Sequence, residues 1–253
     1  MTLAHELVGN GPDVVLIPGT FADRRTWSRV IGRLTSRFRC LLLDPRGTGE
    51  SPDPGTAFGV EQLAGDVLLA MDAAGVERAH LVGHSLGASV GVVIAARDPS
   101  RVSRLVACSP ATIADARLEA VFDLWDGLAA SSVTRHVLHL ALVMDAFGRG
   151  AFDNGTVRAI VDEMDRNPME RATIRHFVAC DRTIDLNPIM RSVDAKTLVI
   201  AGAQDALTGV EQARTLAGGI GDARLELIDG AGHSPHLETP MTFARLVSSF
   251  LSS

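Results

Sequence analysis

The sequence predicts an α/β protein with a mostly parallel central sheet of about seven or eight strands, helices on both faces and an inserted block of helices. Three observations predict this architecture. Short continuous apolar runs, typical of buried parallel strands, alternate with helical patterns along most of the chain. The connections between these runs are short, which favours a parallel sheet covered on both faces. One long stretch without a strand pattern, 111–185, interrupts the alternation.

The first part of the chain supplies strands and helices in a regular order. An edge strand over 2–8 and a turn at 10–13 lead into a buried strand over 14–17, which ends at Pro18-Gly19. The patterns that follow are a helix over 27–34, a strand over 40–43, a helix over 60–74, a strand over 79–82, a helix over 86–96 and a strand over 105–108. This order predicts strands that lie side by side and point the same way.

The stretch 111–185 contains only helical patterns, over 113–128, 133–147, 156–165 and 169–180. Strand patterns return over 197–201 and 225–228, and a helix over 241–251 closes the chain. Because the inserted stretch is neither of low complexity nor rich in Pro and Gly, it is typical of a cap and not of a linker. We therefore predict a core of 1–110 and 186–253 with a helical lid of 111–185.

Composition limits the classes of function. The length of 253 residues and the 46% hydrophobic content suit one large α/β domain. A net charge of -6 without a basic stripe argues against nucleic-acid or membrane partners. The start of the sequence lacks the basic residues and long apolar core of a signal peptide, and no run has the pattern of a membrane span or a nucleotide-binding fingerprint, so we expect none of these. The three cysteines are odd in number and widely spaced, so a disulfide framework is not expected. We expect a cytoplasmic monomer or homodimer without a cofactor or metal ion.

The stretch 79–97 reads as a strand, a sharp turn at Gly83-His84-Ser85-Leu86-Gly87, and a helix of small residues. A serine on such a turn stands clear of the sheet, beside backbone N–H donors, where it can act as a nucleophile. The two glycines lie where strand and helix pass so closely that a Cβ would collide. Ser85 is therefore the first candidate catalytic residue, in preference to an ordinary turn serine.

Four local patterns make the chain similar to the α/β-hydrolase fold family, in particular its lidded, small-molecule esterases and lactonases. They are Pro18-Gly19-Thr20 with Trp27 downstream, Asp44-x-Arg46-Gly47-x-Gly49-x-Ser51, Gly83-x-Ser85-x-Gly87, and Gly230-Ala231-Gly232-His233. The resemblance covers almost the whole chain. It implies a serine hydrolase that works through an acyl-enzyme.

The resemblance places the catalytic acid after the strand that follows the lid, where Asp205 lies. Ser85, Asp205 and His233 occur in the chain order of this fold, and each comes just past the end of a predicted strand. His233 would take the proton from Ser85, and Asp205 would fix the imidazole tautomer. Ser109 occupies the alternative acid position of some relatives, but a serine cannot serve as that acid.

The resemblance also implies an oxyanion hole, formed by the backbone N–H groups of Leu86 and Thr20, with Phe21 as the alternative to Thr20. The chain departs from the family at Pro18, where relatives carry a histidine that often braces this loop. An apolar pocket is expected under the lid, and four residues are predicted to contact substrate: Phe21, Trp125, Met144 and Phe147. Core packing between lid helices is the alternative for such residues.

Other polar candidates are interpreted as structural. His84 is expected to be a neighbour of the catalytic residues without a chemical role. The pairs His233/His236 and His136/His139 have a spacing that could bind a metal, but Pro235 interrupts the first and the second lacks a third ligand. Asp44 and Arg46 are expected to tie down their glycine-rich turn.

The predicted function is hydrolysis of a small, apolar carboxylic ester or lactone. Thioesterases, C–C bond hydrolases and cofactor-free lyases or perhydrolases on the same triad are the alternatives within enzymes. A ligand receptor on the same fold is the alternative outside them, and turnover would discriminate the two. Epoxide hydrolases and haloalkane dehalogenases of this fold need an aspartate where Ser85 stands, and the chain has no tyrosine to activate an epoxide.

Overall fold

The computed structural model describes all of residues 1–253, and it contains one seven-stranded sheet. The strands are β1 (His5–Val8), β2 (Asp13–Ile17), β3 (Arg39–Leu43), β4 (Ala79–His84), β5 (Val102–Cys108), β6 (Lys196–Gly202) and β7 (Ala223–Ile228). Their order in the sheet is β1-β3-β2-β4-β5-β6-β7. Only β1 is antiparallel to its neighbour. The predicted fold class, a mostly parallel sheet between helices, is confirmed.

Eleven α-helices surround the sheet. They are α1 (Ile31–Leu34), α2 (Val60–Ala73), α3 (Leu86–Arg97), α4 (Ala116–Ala130), α5 (Arg135–Val143), α6 (Arg149–Asp153), α7 (Thr156–Arg166), α8 (Arg171–Asp181), α9 (Gly209–Gly219), α10 (Pro235–Glu238) and α11 (Pro240–Leu251). Three short 3-10 helices, Arg24–Trp27, Pro99–Arg101 and Met190–Ser192, lie in the connections.

Successive strand residues point to opposite faces of the sheet, so each buried strand feeds two hydrophobic layers. In β2, Val15 and Ile17 pack on the face covered by α2, α3 and α9, whereas Val14 and Leu16 pack on the other. That second face is covered by α1 and α11, with Trp27 fully buried in its layer. Because both faces are apolar, the central strands read in the sequence as continuous apolar runs.

Between β5 and β6 the chain forms α4 to α8 and no strand of the sheet. The two ends of this helical segment meet, since Ile113 and Asp185 form an isolated antiparallel bridge and the Leu186 N–H donates to the Thr112 carbonyl at 2.8 Å. Side chains from α4, α5 and α8 belong to the same hydrophobic cluster as β4 and α3. The segment therefore covers the carboxyl edge of the sheet.

Local differences from the predicted helices have identifiable causes. The expected helix over 27–34 is divided into a 3-10 turn and α1. The expected helix over 133–147 ends at Val143, because the next residues turn to bring Gly148 onto the His233 loop, where its N–H donates to Glu238 at 2.8 Å. Helices α6, α9 and α10 were not predicted.

No helix of this chain combines the length and the apolar character needed to cross a membrane. Cys40, Cys108 and Cys180 are free and buried, and burial raises the pKa of the Cys40 thiol to about 12.

Candidate active site

Ser85 occupies a strained turn between β4 and α3. Its backbone has φ 53° and ψ -120°, a region that residues with a Cβ seldom adopt. Two backbone bonds hold it there: its N–H donates to the Cys108 carbonyl at 2.8 Å, and its own carbonyl accepts from the Ala88 N–H at 2.8 Å. The turn directs the Ser85 side chain into a cavity above the sheet.

The glycines around Ser85 are required by backbone contacts. A Cβ on Gly83 would overlap the Gly87 carbonyl, and a Cβ on Gly87 would overlap the Ile17 carbonyl oxygen on β2. Gly19 approaches the same turn, because a Cβ there would come within 3.1 Å of the Ser85 Cβ. The sequence prediction for Gly83 and Gly87 therefore has a direct geometric cause.

His233 and Asp205 come together on the loops after β7 and β6. The Nδ1 of His233 lies 2.9 Å from Oδ2 of Asp205, and both side chains are almost fully buried. Nε2 of His233 makes no hydrogen bond within the chain, and neither does Oγ of Ser85, although both residues border the same cavity. Nucleophile and base are often loosely paired without substrate and tighten when it binds.

Asp205 is held by several donors besides His233. Its carboxylate accepts from the N–H groups of Leu207 and Thr208 at 3.0 and 3.1 Å, and from the Thr208 hydroxyl at 3.0 Å. Burial alone would raise the pKa of Asp205, but the interaction with His233 and these donors hold it well below its usual range. Asp205 is therefore ionised at neutral pH and faces the imidazole as a carboxylate.

A column of buried rings supports the His233 loop from below. Nε2 of His84 lies 2.9 Å from the His233 carbonyl oxygen, and the His84 and His236 rings are 4.4 Å apart. Nε2 of His236 contacts the Thr26 hydroxyl at 2.9 Å. Burial lowers the pKa of His84 to about 3 and also lowers that of His236. Both rings are therefore neutral and have a packing role. His233 binds Asp205 and His236 binds Thr26, so the two histidines do not act as a pair.

The second histidine pair and the charged residues of the glycine-rich turn also bind side chains within this chain. Asp165 on α7 accepts from both histidines of α5, with 2.7 Å to Nδ1 of His136 and 2.6 Å to Nδ1 of His139. Asp44 binds Arg24 and the Glu50 N–H across its turn, as expected. Arg46 instead reaches Asp66 on α2.

Glu238 braces the loop that carries His233. Its carboxylate accepts from the N–H groups of Gly232 and Ser234 at 3.0 Å, and from that of Gly148 at 2.8 Å. It has no hydrogen bond to the imidazole of His233. Glu238 therefore ties the helical segment to the loop, which the sequence did not indicate.

Three backbone N–H groups are placed to serve as an oxyanion hole. Leu86 is the first residue of α3, where an N–H has no acceptor within the helix. The N–H groups of Thr20 and Phe21 donate to no group of the chain, and Phe21 has a φ of 63°. Thr20, Phe21 and Leu86 all border the cavity beside Ser85.

The cavity above Ser85 has a volume of about 520 Å³ and mostly apolar walls. Phe21, Trp125 and Phe147 line it, and their contact with substrate stays a prediction. Trp125 packs edge-on against Phe21 with ring centroids 5.5 Å apart. Met144 does not line it. Met144 is the first residue after α5, and it is 55% exposed because the chain turns away from the cavity there. Leu142 faces the cavity instead.

A buried acid in the cavity wall was missed. Asp181, the last residue of α8, is only 5% exposed and accepts from the Thr20 hydroxyl at 2.9 and 3.1 Å from its two oxygens. It borders the cavity together with Ser85 and His233. A signal existed in the sequence: Asp181 lies four residues after Phe177 and three after Val178, on the buried face of its helix.

Comparison with known proteins agrees with this fold. The profile of the alpha/beta hydrolase fold family matches residues 12–240. The chain therefore belongs to the α/β-hydrolase family and is a hydrolase.

Its relatives carry several hydrolytic activities in their names. The chain is 31% identical, over 97% of its length and 92% of the relative's, to a pyrrolizixenacetamide deacetylase from Xenorhabdus hominickii. It is 29% identical, over 100% and 97% of the two lengths, to a protein of Variovorax paradoxus named as a candidate carbamate hydrolase, RutD. Among solved structures, it matches an enol-lactonase from Burkholderia xenovorans LB400 with a TM-score of 0.91 and 27% identity, over 99% and 96% of the two chains.

Proposed function

We propose that this protein is a serine hydrolase that cleaves a small carboxylic ester or lactone through an acyl-enzyme. The observation that carries the proposal is the strained Ser85 turn at the floor of an apolar cavity, bordered by a His233 that is held by Asp205 at 2.9 Å. A serine in such a conformation costs about 1–3 kcal/mol, so its retention points to a function.

In the proposed mechanism, Nε2 of His233 takes the proton of Ser85 as Oγ attacks the carbonyl carbon. Asp205 accepts the Nδ1–H, which fixes the tautomer and stabilises the imidazolium. The protonated ring then donates to the leaving oxygen, and an acyl-Ser85 ester remains. Water attacks this ester with His233 again as base, which releases the acid and restores Ser85.

The tetrahedral oxyanion would accept hydrogen bonds from the N–H groups of Leu86 and Thr20. Both groups are fixed by backbone geometry, so they need no reorganisation when the negative charge develops. The Phe21 N–H lies on the same loop and is the alternative donor.

We also propose that the segment 111–185 acts as a lid that selects the substrate. Its helices contribute Phe122, Trp125 and Leu142 to the cavity wall. They contribute no member of the proposed triad. A wall of this kind favours an apolar acyl or lactone group.

A second candidate is hydrolysis of the C–N bond of an amide or carbamate. It is favoured by the deacetylase and the candidate carbamate hydrolase among the relatives. The same triad can perform it, because protonated His233 can donate to a leaving nitrogen as well as to an oxygen.

The test is fluorophosphonate labelling followed by turnover of a panel of esters, lactones, carbamates and amides. We expect label on Ser85 of the wild-type chain and none on Ser85→Ala, with turnover of that variant reduced to a small background. Ser131→Ala, an exposed serine after α4, is the matched control and should label normally. Labelling of Ser85→Ala would reject the nucleophile, and a labelled wild type that hydrolyses nothing would favour a receptor.

A further inference from the structure

Asp181 differs from every other buried acid of this protein. Four carboxylates are buried, and three of them contact a cationic or imidazole group: Arg24 for Asp44, Arg46 for Asp66 and His233 for Asp205. Asp181 has no such partner. Leaving a buried carboxylate without a compensating charge costs several kcal/mol, so proteins seldom retain one without a use for it.

The groups around Asp181 do not satisfy it. The Thr20 hydroxyl has one proton, which can serve only one of the two oxygens that it approaches. Arg182, the next residue, turns away to Glu119 and Asp123 on α4. The sulfur of Cys180 is a neutral thiol, and Arg46 is taken by Asp66. His233, on the opposite loop, influences Asp181 only through space, and His84 is neutral.

The cavity itself is thus the only direction from which Asp181 can gain another partner. Two arginines also border the cavity, but each has another partner. Arg25 binds Asp23 and Glu163, and Arg29 binds the Leu237 carbonyl, so neither forms a hydrogen bond with Asp181. A small number of polar groups in a mostly apolar pocket is the usual means of orienting a ligand, and Asp181 is one such group here.

The position of Asp181 relative to the reacting centre is fixed by Thr20. The hydroxyl of Thr20 binds Asp181, while the backbone N–H of the same residue borders the proposed oxyanion hole. Because Asp181 binds the side chain of the residue that carries this N–H, its carboxylate would lie close to a donor placed one or two atoms from the reacting carbonyl carbon.

We propose that Asp181 is a specificity-determining residue that accepts a hydrogen bond from an N–H or O–H group next to the reacting carbonyl of the substrate. The inference rests on the proposed function and narrows its substrate class. The favoured substrates are acyl derivatives with a donor at that place, such as 2-hydroxy esters, carbamates or N-acylated amino compounds. Acyl groups that carry their own carboxylate there are disfavoured by repulsion.

The test compares substrates that differ only in the donor. The 4-nitrophenyl esters of glycolic and propionic acid exchange a hydroxyl for a methyl group, and 4-nitrophenyl N-methylcarbamate exchanges an N–H for a methylene. The quantity measured is the ratio of kcat/KM for each donor substrate to that for the propionate. Intrinsic reactivity cancels when this ratio is compared between variants.

We expect Asp181→Asn and Asp181→Leu to lower this ratio by roughly 10- to 100-fold, the effect of one hydrogen bond to a charged group. Asp181→Leu should raise kcat/KM for the propionate, because an apolar wall then replaces a carboxylate. Asp126→Asn removes a partly exposed carboxylate of α4 that pairs with Arg175 outside the cavity, and it should leave the ratio as in the wild type.

A pH series gives a readout that a purely structural role would not change. Burial raises the pKa of Asp181 to about 7, against the opposing effect of the Thr20 hydrogen bond and of His233. The carboxylate therefore gains a proton as pH falls through 7, and the wild-type ratio should fall between pH 8 and pH 6. The ratio of Asp181→Asn should be flat over this range. Any other effect of pH that acts equally on both substrates cancels in the ratio.

The proposal is overturned if the ratio is the same in the wild type, Asp181→Asn and Asp181→Leu at each pH. Failure of the proposed function has a different signature, namely no turnover of any ester by the wild type. In that case binding of phenyl glycolate and phenyl propionate, which differ only in a hydroxyl and a methyl group, to Ser85→Ala by calorimetry decides the role of Asp181. Preference for the hydroxy compound that is lost in Ser85→Ala/Asp181→Asn supports it, and equal binding rejects it.

Discussion

At the scale of single residues, the contacts of Asp205 allow its role in loop geometry to be distinguished from the effect of its charge on His233. Two backbone N–H groups and the Thr208 hydroxyl hold its carboxylate in addition to His233. An asparagine can keep the backbone bonds with its carbonyl oxygen, but its NH₂ group would then face Nδ1 of His233. The substitution therefore changes the imidazole tautomer while it leaves the loop in place.

We expect Asp205→Asn to fold normally and to lose on the order of 10⁴ in kcat, because the amide favours the wrong imidazole tautomer. The measurement is kcat on the best ester of the panel, with circular dichroism to verify folding. A loss below tenfold would contradict the role of Asp205. Glu238 could not easily replace it, since its oxygens already accept from three backbone N–H groups.

The sequence indicated the position of residues that follow strand ends, but it did not indicate the position of residues where that position depends on how helices pack. Ser85, His233 and Asp205 follow strand ends, so local patterns were enough to bring them to one edge. Asp181 lies in a helix and Met144 directly follows one, where the direction of a side chain depends on how the helix packs and where it ends. The predicted helix over 133–147 ends four residues early, at Val143, and Met144 lies at the surface.

At the scale of elements, the contact of α3 with β2 depends on Gly87. A Cβ there would overlap the Ile17 carbonyl oxygen, which is backbone and cannot move aside without shifting the sheet. We expect Gly87→Ala to lower the free energy of unfolding by on the order of 3 kcal/mol, measured by urea denaturation.

Gly65→Ala on α2 is the matched control for Gly87→Ala. Nothing lies within 4 Å of a Cβ at Gly65, so helix propensity alone applies and we expect stabilisation of about 0.5–1 kcal/mol. Equal effects of the two substitutions would show that the close approach of α3 to β2 is not required.

The helices of segment 111–185 should set chain-length preference. Trp125 fills the cavity against Phe21 and Phe122, and its indole N–H donates to the Ala141 carbonyl at 3.2 Å. We expect Trp125→Ala to shift the preferred acyl chain to longer members, with selectivity changes of roughly 1–3 kcal/mol per methylene. The measurement is kcat/KM over a series of linear 4-nitrophenyl esters.

Met144→Ala serves as the control for Trp125→Ala, because Met144 is largely exposed and lies outside the cavity. Its chain-length profile should match that of the wild type, and both variants should keep the fluorophosphonate label. Parallel losses at every chain length in Trp125→Ala, with the label abolished, would place catalytic machinery in the segment.

The strands of the sheet were predicted more accurately than the helices around it. Continuous apolar runs marked all of the central strands to within two or three residues at each end. Helices α6 and α10 escaped because each is too short to show a periodic pattern, whereas the glycines at both ends of α9 lower its helix propensity. The strandless stretch was visible, but its role as a lid remains a proposal.

At the scale of the whole molecule, buried titratable groups make stability depend on pH. The folded chain keeps His84 and His236 neutral far below pH 6.5, whereas the unfolded chain protonates both there. Each therefore stabilises the fold above pH 6.5 and loses that contribution as pH falls. Asp181 acts in the opposite direction between pH 4 and 7, because the folded chain binds its proton more tightly.

Between pH 6 and pH 4 these three groups leave the unfolded chain with a net excess of one proton. We expect them to lower the free energy of unfolding by about 1.4 kcal/mol for each pH unit of acidification. Urea denaturation from pH 4 to pH 7 measures the slope. His84→Asn should decrease this slope, and Asp181→Leu should increase it, each by the amount that corresponds to one proton taken up on unfolding. Unchanged slopes would contradict the assigned protonation states.

The general fold class followed from the order of apolar runs and helical patterns, since few topologies bury such runs with short right-handed connections. The identity of the substrate could not be predicted from this order, because it depends on cavity walls contributed by helices far apart in the sequence. The monomer or homodimer and the cytoplasmic location remain predictions.

The two tryptophans give the protein a built-in optical reporter. The chain has no tyrosine, so its ultraviolet emission comes from Trp27, fully buried on the far face of the sheet, and Trp125, in the cavity wall. In a Trp27→Phe variant, the emission would come from Trp125 alone. We expect its wavelength and intensity to change when a compound fills the cavity, so fluorescence titration would measure occupancy directly, without a label and before any bond is broken.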